Sequence, residues 1–276
     1  MSEKLVEVKN LRKTFEGRGG DDSHLAVNDV SFTISEGESV ALVGESGSGK
    51  TTTARCLVGL ETPDSGLIEV CGEQRVVRRP NAATRRRWAL QTQMVFQDPY
   101  GSLDPRQTID QGLAQLIRFH HGELSSEQRR ARIAELLDLV QLSERQGGSR
   151  PRALSGGQRQ RAAIARALAA SPRILVMDEA VAALDVSVQA QILNVLAGIQ
   201  AETRVSFLFL THDLAVVRQI ADSVLVMKGG EVVERGSTNS VLTNPETEYA
   251  RLLIESVPTS GWNPENVSKK RKDSVQ

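Results

Sequence analysis

The sequence predicts an α/β fold, with helices covering a largely parallel β-sheet, because short apolar runs alternate with helical patterns along its 276 residues. Several of these runs are rich in β-branched residues and apolar almost throughout, as strands buried on both faces of a parallel sheet are. The runs that predict strands are residues 6–11, 38–44, 173–179, 205–213 and 222–230.

Residues from about 98 to 154 predict a helical segment inserted into this sheet-bearing core. The segment opens with the turn-rich stretch DPYGSLDPRQ, and a helical pattern follows over residues 125–142. The apolar positions of that pattern recur at helical spacing: Ile133, Leu136, Leu137 and Val140.

The domain boundaries follow from these patterns. The core is expected to comprise about residues 1–97 and 155–236. The patterns weaken after residue 236, which predicts a C-terminal extension over 237–258 and a disordered tail over 259–276.

The composition excludes several classes of protein. The 34 basic and 34 acidic residues balance, so the chain lacks the positive field expected of a general nucleic-acid binder. No apolar run approaches the roughly 20 residues needed to span a bilayer, and the first residues do not resemble a signal peptide. The expected location is therefore the cytosol. Cys56 and Cys71 form no CxxC pair, which disfavours zinc and redox sites.

A glycine-rich loop follows the strand predicted at 38–44. It has the arrangement G-x-x-x-x-G-K-[ST] between an apolar strand and a helical pattern, the context that a phosphate-binding loop requires rather than an ordinary glycine-rich turn. Lys50 can reach the β- and γ-phosphate oxygens, and the Thr51 hydroxyl can ligate Mg²⁺. The residues predicted to bind nucleotide here are Gly44, Glu45, Ser46, Gly47, Ser48, Gly49, Lys50, Thr51 and Thr52.

Two carboxylates, Asp178 and Glu179, end the strand predicted at 173–179. Ligands of open parallel sheets collect at the carboxyl ends of the strands, so both side chains are expected beside the phosphates. Asp178 is suited to hold Mg²⁺, directly or through water, and Glu179 to polarise an attacking water as a general base. Without the phosphate loop, the same pair would be interpreted as two carboxylates facing solvent.

Two further polar residues, Gln97 and His212, also follow apolar strands. A histidine on its own is more often a helix cap or a surface group than a catalyst. Here both residues are predicted at the sheet edge where the nucleotide should lie. Gln97 could then ligate Mg²⁺ or the attacking water, and His212 could contact the γ-phosphate.

The stretch LSGGQ, residues 154–158, places two glycines at the start of a predicted helix. Ser155 and Gln158 form a capping box, which explains part of the stretch without any ligand. The glycines are not explained by the cap, because each costs about 1 kcal/mol relative to alanine inside a helix. A helix N-terminus with a bare backbone suits an anion, above all a phosphate.

Together these motifs resemble the nucleotide-binding subunits of ATP-binding-cassette transporters. GESGSGKT, VFQDP, LSGGQRQR, ILVMDEA, ALD and LTHD occur in that family's order and spacing. The resemblance implies an ATPase cassette over residues 1–236. Its fold would be a P-loop NTPase (RecA-like) core with an antiparallel β subdomain and an inserted α-helical subdomain that carries the signature LSGGQ.

The resemblance also assigns roles across two copies of the chain. The signature residues Ser155, Gly156, Gly157 and Gln158 would contact the γ-phosphate of ATP held by the phosphate loop of a second cassette. Asp185 would belong to the loop that passes between the two sites. Phe15 stands where the family stacks an aromatic ring on adenine, although a lone phenylalanine could equally be a core residue.

Within the family, residues 95–109 and 178–196 look most like the ATPases of peptide, oligopeptide and nickel importers. That likeness implies integral membrane permease subunits, a second cassette and, indirectly, an extracytoplasmic solute-binding protein. It also implies a peripheral position on the cytoplasmic face of the inner membrane. Ala180 and Ala182 depart from the usual proline and serine or threonine, but no catalytic group is lost, so activity is expected.

Three alternatives remain at this stage. A DNA-repair or chromosome-structuring ATPase would carry long coiled coils between the phosphate loop and the signature. Only about a hundred residues, without sustained heptads, separate Lys50 from Ser155, which disfavours this alternative. A cassette serving nickel, glutathione or another small solute would share every motif above, whereas the cassette of an exporter would differ in the segment after Gln97. Basic runs at 85–87 and 269–272 could touch anionic lipid or nucleic acid, although runs this short are common on solvated surfaces.

Overall fold

The computed structural model describes residues 4–16, 23–75 and 80–256. The strands over these ranges are β1 (Lys4–Glu16), β2 (Ser23–Ser35), β3 (Ser39–Val43), β4 (Ser65–Val70), β5 (Glu73–Gln74), β6 (Thr92–Val95), β7 (Ile174–Asp178), β8 (Ser206–Thr211), β9 (Ser223–Lys228) and β10 (Glu231–Ser237). The helices are α1 (Lys50–Val58), α2 (Ala82–Gln91), α3 (Ile109–His120), α4 (Ser126–Leu139), α5 (Glu144–Gly147), α6 (Gly156–Leu168), α7 (Val186–Thr203), α8 (Leu214–Ile220), α9 (Thr238–Thr243) and α10 (Glu248–Glu255).

The larger sheet has the strand order β10-β9-β3-β8-β7-β6. Its strands are parallel except for β10, which runs antiparallel to β9 at one edge. The predicted α/β class with a parallel sheet is therefore confirmed. The predicted runs at 38–44, 173–179, 205–213 and 222–230 correspond to β3, β7, β8 and β9.

A second sheet, with the order β2-β1-β4-β5, is antiparallel throughout. The run predicted at 6–11 belongs to this sheet, as part of the longer strand β1. The antiparallel β subdomain implied by the family resemblance is thus present.

Successive side chains of the central strands point to opposite faces of the sheet, so the core has two layers. In β3, Ala41 and Val43 face one layer, whereas Val40 and Leu42 face the other. The first layer packs against α3, α4, α6 and α7, and the second packs against α1 and the antiparallel sheet. Because β3, β7 and β8 run parallel and are buried on both sides, their carboxyl ends meet at one edge.

The helical segment packs on the first layer. Leu136 and Leu137 of α4 and the following Val140 are buried, and Ile133 is partly buried against the same core, so the predicted helical face is confirmed. The structure also places two helices, α9 and α10, beyond residue 236, where the sequence pattern was weak. The tail predicted at 259–276 lies outside the described residues.

Within the described ranges, no helix combines the length and hydropathy needed to cross a bilayer.

Candidate nucleotide site

The phosphate loop lies between the end of β3 and the start of α1. Gly49 has φ +105°, a backbone conformation that side chains rarely adopt. A Cβ at this position would lie 2.3 Å from the Ala26 backbone oxygen, so only glycine fits. Ser48 is buried, and its Oγ has no hydrogen-bond partner among the described residues. The loop therefore forms a tight cradle with an unsatisfied hydroxyl, as expected of a site built for phosphate.

Lys50 is buried at the N-terminus of α1. Its Nζ donates hydrogen bonds to the backbone oxygens of Gly44 and Glu45, each at 2.8 Å. Burial lowers the pKa of Lys50, and the nearby Glu179, Asp178 and Glu45 carboxylates oppose that shift. The ammonium group is thus held inside the loop, beside acidic groups.

Thr51 and Asp178 bring two oxygen ligands together. The Thr51 hydroxyl donates to Asp178 Oδ1 at 3.1 Å, although the two residues lie on α1 and at the end of β7. Burial raises the pKa of Asp178, and the neighbouring Glu179 charge acts in the same direction, whereas the Thr51 hydrogen bond opposes the shift. Hydroxyl and carboxylate oxygens are the donors that Mg²⁺ prefers, so this pair fits the metal.

Glu179 occupies an unusual backbone position directly after β7. Its φ is +48°, in the left-handed region that costs a non-glycine residue about 1–3 kcal/mol. Two backbone bonds hold it there: its amide donates to the Leu210 oxygen at 2.9 Å, and its oxygen accepts from Ala182 at 3.0 Å. His212 Nδ1 lies 3.4 Å from Glu179 Oε1, so two of the four predicted catalytic side chains, which also include Gln97 and Lys50, are brought together.

Gly49, Lys50, Thr51 and Glu179 line a cavity of about 200 Å³ at the edge of the sheet. Phe15 contributes to the wall and is 38% exposed, so it is a surface side chain rather than a core residue. His24 and Ala26, which were not predicted, line the same cavity. His24 on β2 pairs with Phe15 on β1, and the sequence alone did not predict this pairing. The predicted residues that line the cavity are Phe15, Ser46, Gly47, Gly49, Lys50, Thr51, Thr52 and Glu179.

The other predicted residues do not line this cavity. Gln97 is exposed two residues beyond β6 and faces a second cavity of about 410 Å³. Gly156 lines that second cavity together with Ala183 and Leu184. Ser155 is exposed at the start of α6, with the predicted capping box in place. The chain thus separates its phosphate-loop residues from its signature residues.

Asp185 has a local role in addition to any role in a dimer. It is exposed and caps the N-terminus of α7, where Oδ1 accepts a hydrogen bond from the Val188 amide at 2.9 Å. The Ser187 hydroxyl donates to the same oxygen at 2.7 Å. These bonds lower the pKa of Asp185, so the carboxylate is charged at neutral pH.

The two signature glycines have different surroundings. Gly157 is buried, and a Cβ there would lie 2.5 Å from Val188 Cγ1. Gly156 is partly exposed, and its Cβ would meet Leu184 Cδ2 at an ordinary 3.6 Å. The close approach of α6 and α7 therefore requires a glycine at position 157 even in a single chain. The sequence predicts an accessible backbone at both glycines, but only Gly156 has one.

We expect Gly157→Ala to lower the free energy of unfolding by about 1–3 kcal/mol, the usual cost of overpacking. Gly156→Ala should have no such cost. Gly198→Ala is a matched control, because Gly198 is exposed within α7 and has open space around it. This substitution should raise the free energy of unfolding by up to about 1 kcal/mol. Urea unfolding followed by circular dichroism measures all three. Equal effects at Gly156 and Gly157 would contradict the packing role.

Comparison with known proteins identifies the family. The family model described as ABC transporter matches residues 27–182. An oligopeptide transport ATP-binding protein of Lactococcus lactis is 40% identical over 264 residues, covering 94% of this chain and 82% of that protein. A glutathione import ATP-binding protein of Shigella flexneri is 42% identical over 263 residues, covering 94% of this chain and 42% of that protein.

A solved structure gives the same result. The dimeric post-hydrolysis state of an ATP-binding cassette, bound to ADP and Pi, has a TM-score of 0.75 and 32% identity, and the match covers 85% of this chain and 99% of that one. The family match spans the strand, the phosphate loop, the signature helix and the two carboxylates described above. This chain therefore belongs to the ABC transporter family and is one of its ATP-hydrolysing cassettes.

Proposed function

We propose that this chain is the motor subunit of an importer for peptides. It would lie on the cytoplasmic face of the plasma membrane, bound to integral permease subunits. A second cassette would pair with it, and an extracytoplasmic solute-binding protein would deliver the solute to the permease. The cassette itself supplies ATP binding and hydrolysis.

One observation supports the paired arrangement: the residues predicted to surround the γ-phosphate lie in two separate places. The phosphate-loop cavity is lined by Lys50, Thr51 and Glu179 and by no signature residue. Ser155 is exposed at the N-terminus of a different helix, whose free amides and partial positive charge suit an anion. A site built in two halves is completed when a second chain presents its signature to the first chain's loop.

The residues in and beside the phosphate-loop cavity have separate proposed roles. The phosphate-loop amides and Lys50 bind the β- and γ-phosphates. Thr51 and Asp178 would hold Mg²⁺, which supplies positive charge at the phosphate oxygens when bound. Gln97 faces the second cavity, so its predicted ligation of Mg²⁺ would require this residue to move toward the phosphate loop. Glu179 accepts a proton from the attacking water, and His212, at 3.4 Å from Glu179, orients that carboxylate and contacts the γ-phosphate. Phe15 stacks on the adenine ring.

The assignment of peptides as the solute is supported by the relatives. The Lactococcus relative is named for oligopeptide transport and the Shigella relative for glutathione import, and glutathione is itself a tripeptide. Import of glutathione or of nickel is the alternative, because the cassette would not itself contact the solute.

Uptake measurements test the proposal. A strain lacking the chain, complemented with the wild type or with Glu179→Gln, would be supplied with labelled di- and oligopeptides, glutathione and nickel. We expect peptide uptake only with the wild type, and co-purification of the tagged chain with permease subunits from membranes. Selective loss of nickel or glutathione uptake would reassign the solute. Loss of solute export, with uptake unchanged, would overturn import.

A further inference from the structure

The C-terminal extension contacts the phosphate loop. The backbone N–H of Glu45, at the start of the loop, donates a hydrogen bond of 3.3 Å to the hydroxyl of Tyr249 on α10. Tyr249 is half-buried and packs against the core that α10 covers. A residue 204 positions away in the sequence therefore touches the backbone that is expected to receive the phosphates.

Lys228, at the end of β9, contacts the same tyrosine. Lys228 Nζ lies 4.9 Å from the centroid of the Tyr249 ring, a cation–π geometry. Lys228 ends β9, and the turn after it reaches the phosphate loop, where the Gly230 amide donates to the Ser48 oxygen at 3.0 Å. The loop is thus held near its first residue by α10 and near its last by the β9–β10 turn.

Hydrogen bonds to the residues directly before Tyr249 fix the position of this side chain. Glu234, a buried carboxylate on β10, accepts hydrogen bonds from the amides of Glu246 and Thr247 at 2.9 and 2.8 Å and from the Thr247 hydroxyl. Thr247 in turn caps α10 through the Ala250 amide. Burial alone would raise the pKa of Glu234, but these donors outweigh it and the pKa is lowered. The start of α10 is therefore fixed to the sheet.

We propose that Tyr249 is a positioning residue for nucleotide binding. Its hydroxyl fixes the Glu45 backbone, so the phosphate loop is held in shape before the phosphates arrive. A loop that is already ordered loses less conformational entropy when it binds, and its affinity is higher. The inference rests on the proposed binding of ATP phosphates by this loop, and it assigns the C-terminal extension a part in that binding.

The test is Tyr249→Phe, which removes the hydroxyl and keeps the ring over Lys228. We expect the KM for ATP and the dissociation constant of a fluorescent ATP analogue to rise about fivefold, with kcat changed less than about twofold; fivefold corresponds to the roughly 1 kcal/mol that one hydrogen bond contributes. Ser256→Ala is the matched control. It removes a hydroxyl from the end of α10 that donates to the Leu252 oxygen at 2.6 Å, and it should leave KM unchanged.

The outcomes separate this inference from the proposed function. Lys50→Ala, measured in parallel, should abolish detectable binding of the analogue. If Lys50→Ala loses binding while Tyr249→Phe keeps the wild-type KM, the role of Tyr249 is overturned and the loop's function stands. Equal rises in KM for Tyr249→Phe and Ser256→Ala also overturn it, because the effect would then come from helix stability. Unchanged binding in Lys50→Ala would overturn the function assigned to the loop.

Discussion

Glu179→Gln is expected to lower the ATPase rate by about 10²–10⁴-fold, the usual contribution of a general base. Glutamine has the same shape and can adopt the same left-handed backbone, so the two hydrogen bonds that hold residue 179 should persist. The amide cannot take a proton from water, however, so the chemical step becomes much slower. Phosphate release measured at saturating ATP reports the loss, and the dissociation constant of a fluorescent ATP analogue should stay within about twofold of the wild type.

The same variant should accumulate a closed dimer in ATP and Mg²⁺, because hydrolysis no longer reopens it. Size-exclusion chromatography with light scattering measures this dimer. Glu202→Gln is the matched control, since Glu202 is an exposed carboxylate on α7, and it should turn over at the wild-type rate. Full turnover by Glu179→Gln would show that another group serves as the base.

Mixing two inactive variants is expected to restore activity if the site is shared between chains. Lys50→Ala removes the buried ammonium from the phosphate loop, and Ser155→Arg blocks the exposed signature helix. In a mixed dimer both defects fall on one site, and the other site combines an intact loop with an intact signature. Random pairing of equal amounts leaves about a quarter of the sites intact, so roughly that share of the wild-type rate should return.

Each variant alone should be inactive, and each should remain folded. Ser155→Arg removes the cap of α6, which costs about 1 kcal/mol, but Ser155 is exposed and the larger side chain has room. Lys9→Ala, which changes an exposed lysine paired with Glu7, is the control for loss of a lysine and should keep full activity. A mixture as inactive as its components would mean that one chain encloses its own γ-phosphate.

The features that could be predicted from the sequence are those that depend on residues close together along the chain. The phosphate loop is a local motif, because its glycines, Lys50 and Thr51 act through backbone that lies within a few residues. The capping box at Ser155 and Gln158 follows from a short spacing in the same way. Asp178 and Glu179 could be placed at the end of a strand because the apolar run before them predicted that strand.

Strand β2 was not predicted from the sequence, for a physical reason. β2 alternates buried and exposed positions, with irregular register against β1, so it lacks the continuous apolar run that revealed the central strands. Its partner residues, including His24 beside Phe15, could not be assigned to the cavity without that pairing.

What the sequence by itself determined about this protein is its family, its phosphate loop and the chemistry of the carboxylates, because each depends on residue types at short, fixed spacing. Tertiary structure alone decided which of these groups meet. It separates Gln97 and Ser155 from the phosphate-loop cavity, explains Gly157 by the approach of Val188, and places Tyr249 on the Glu45 amide. Such contacts join residues far apart in the chain, and their distances depend on how whole helices pack against the sheet.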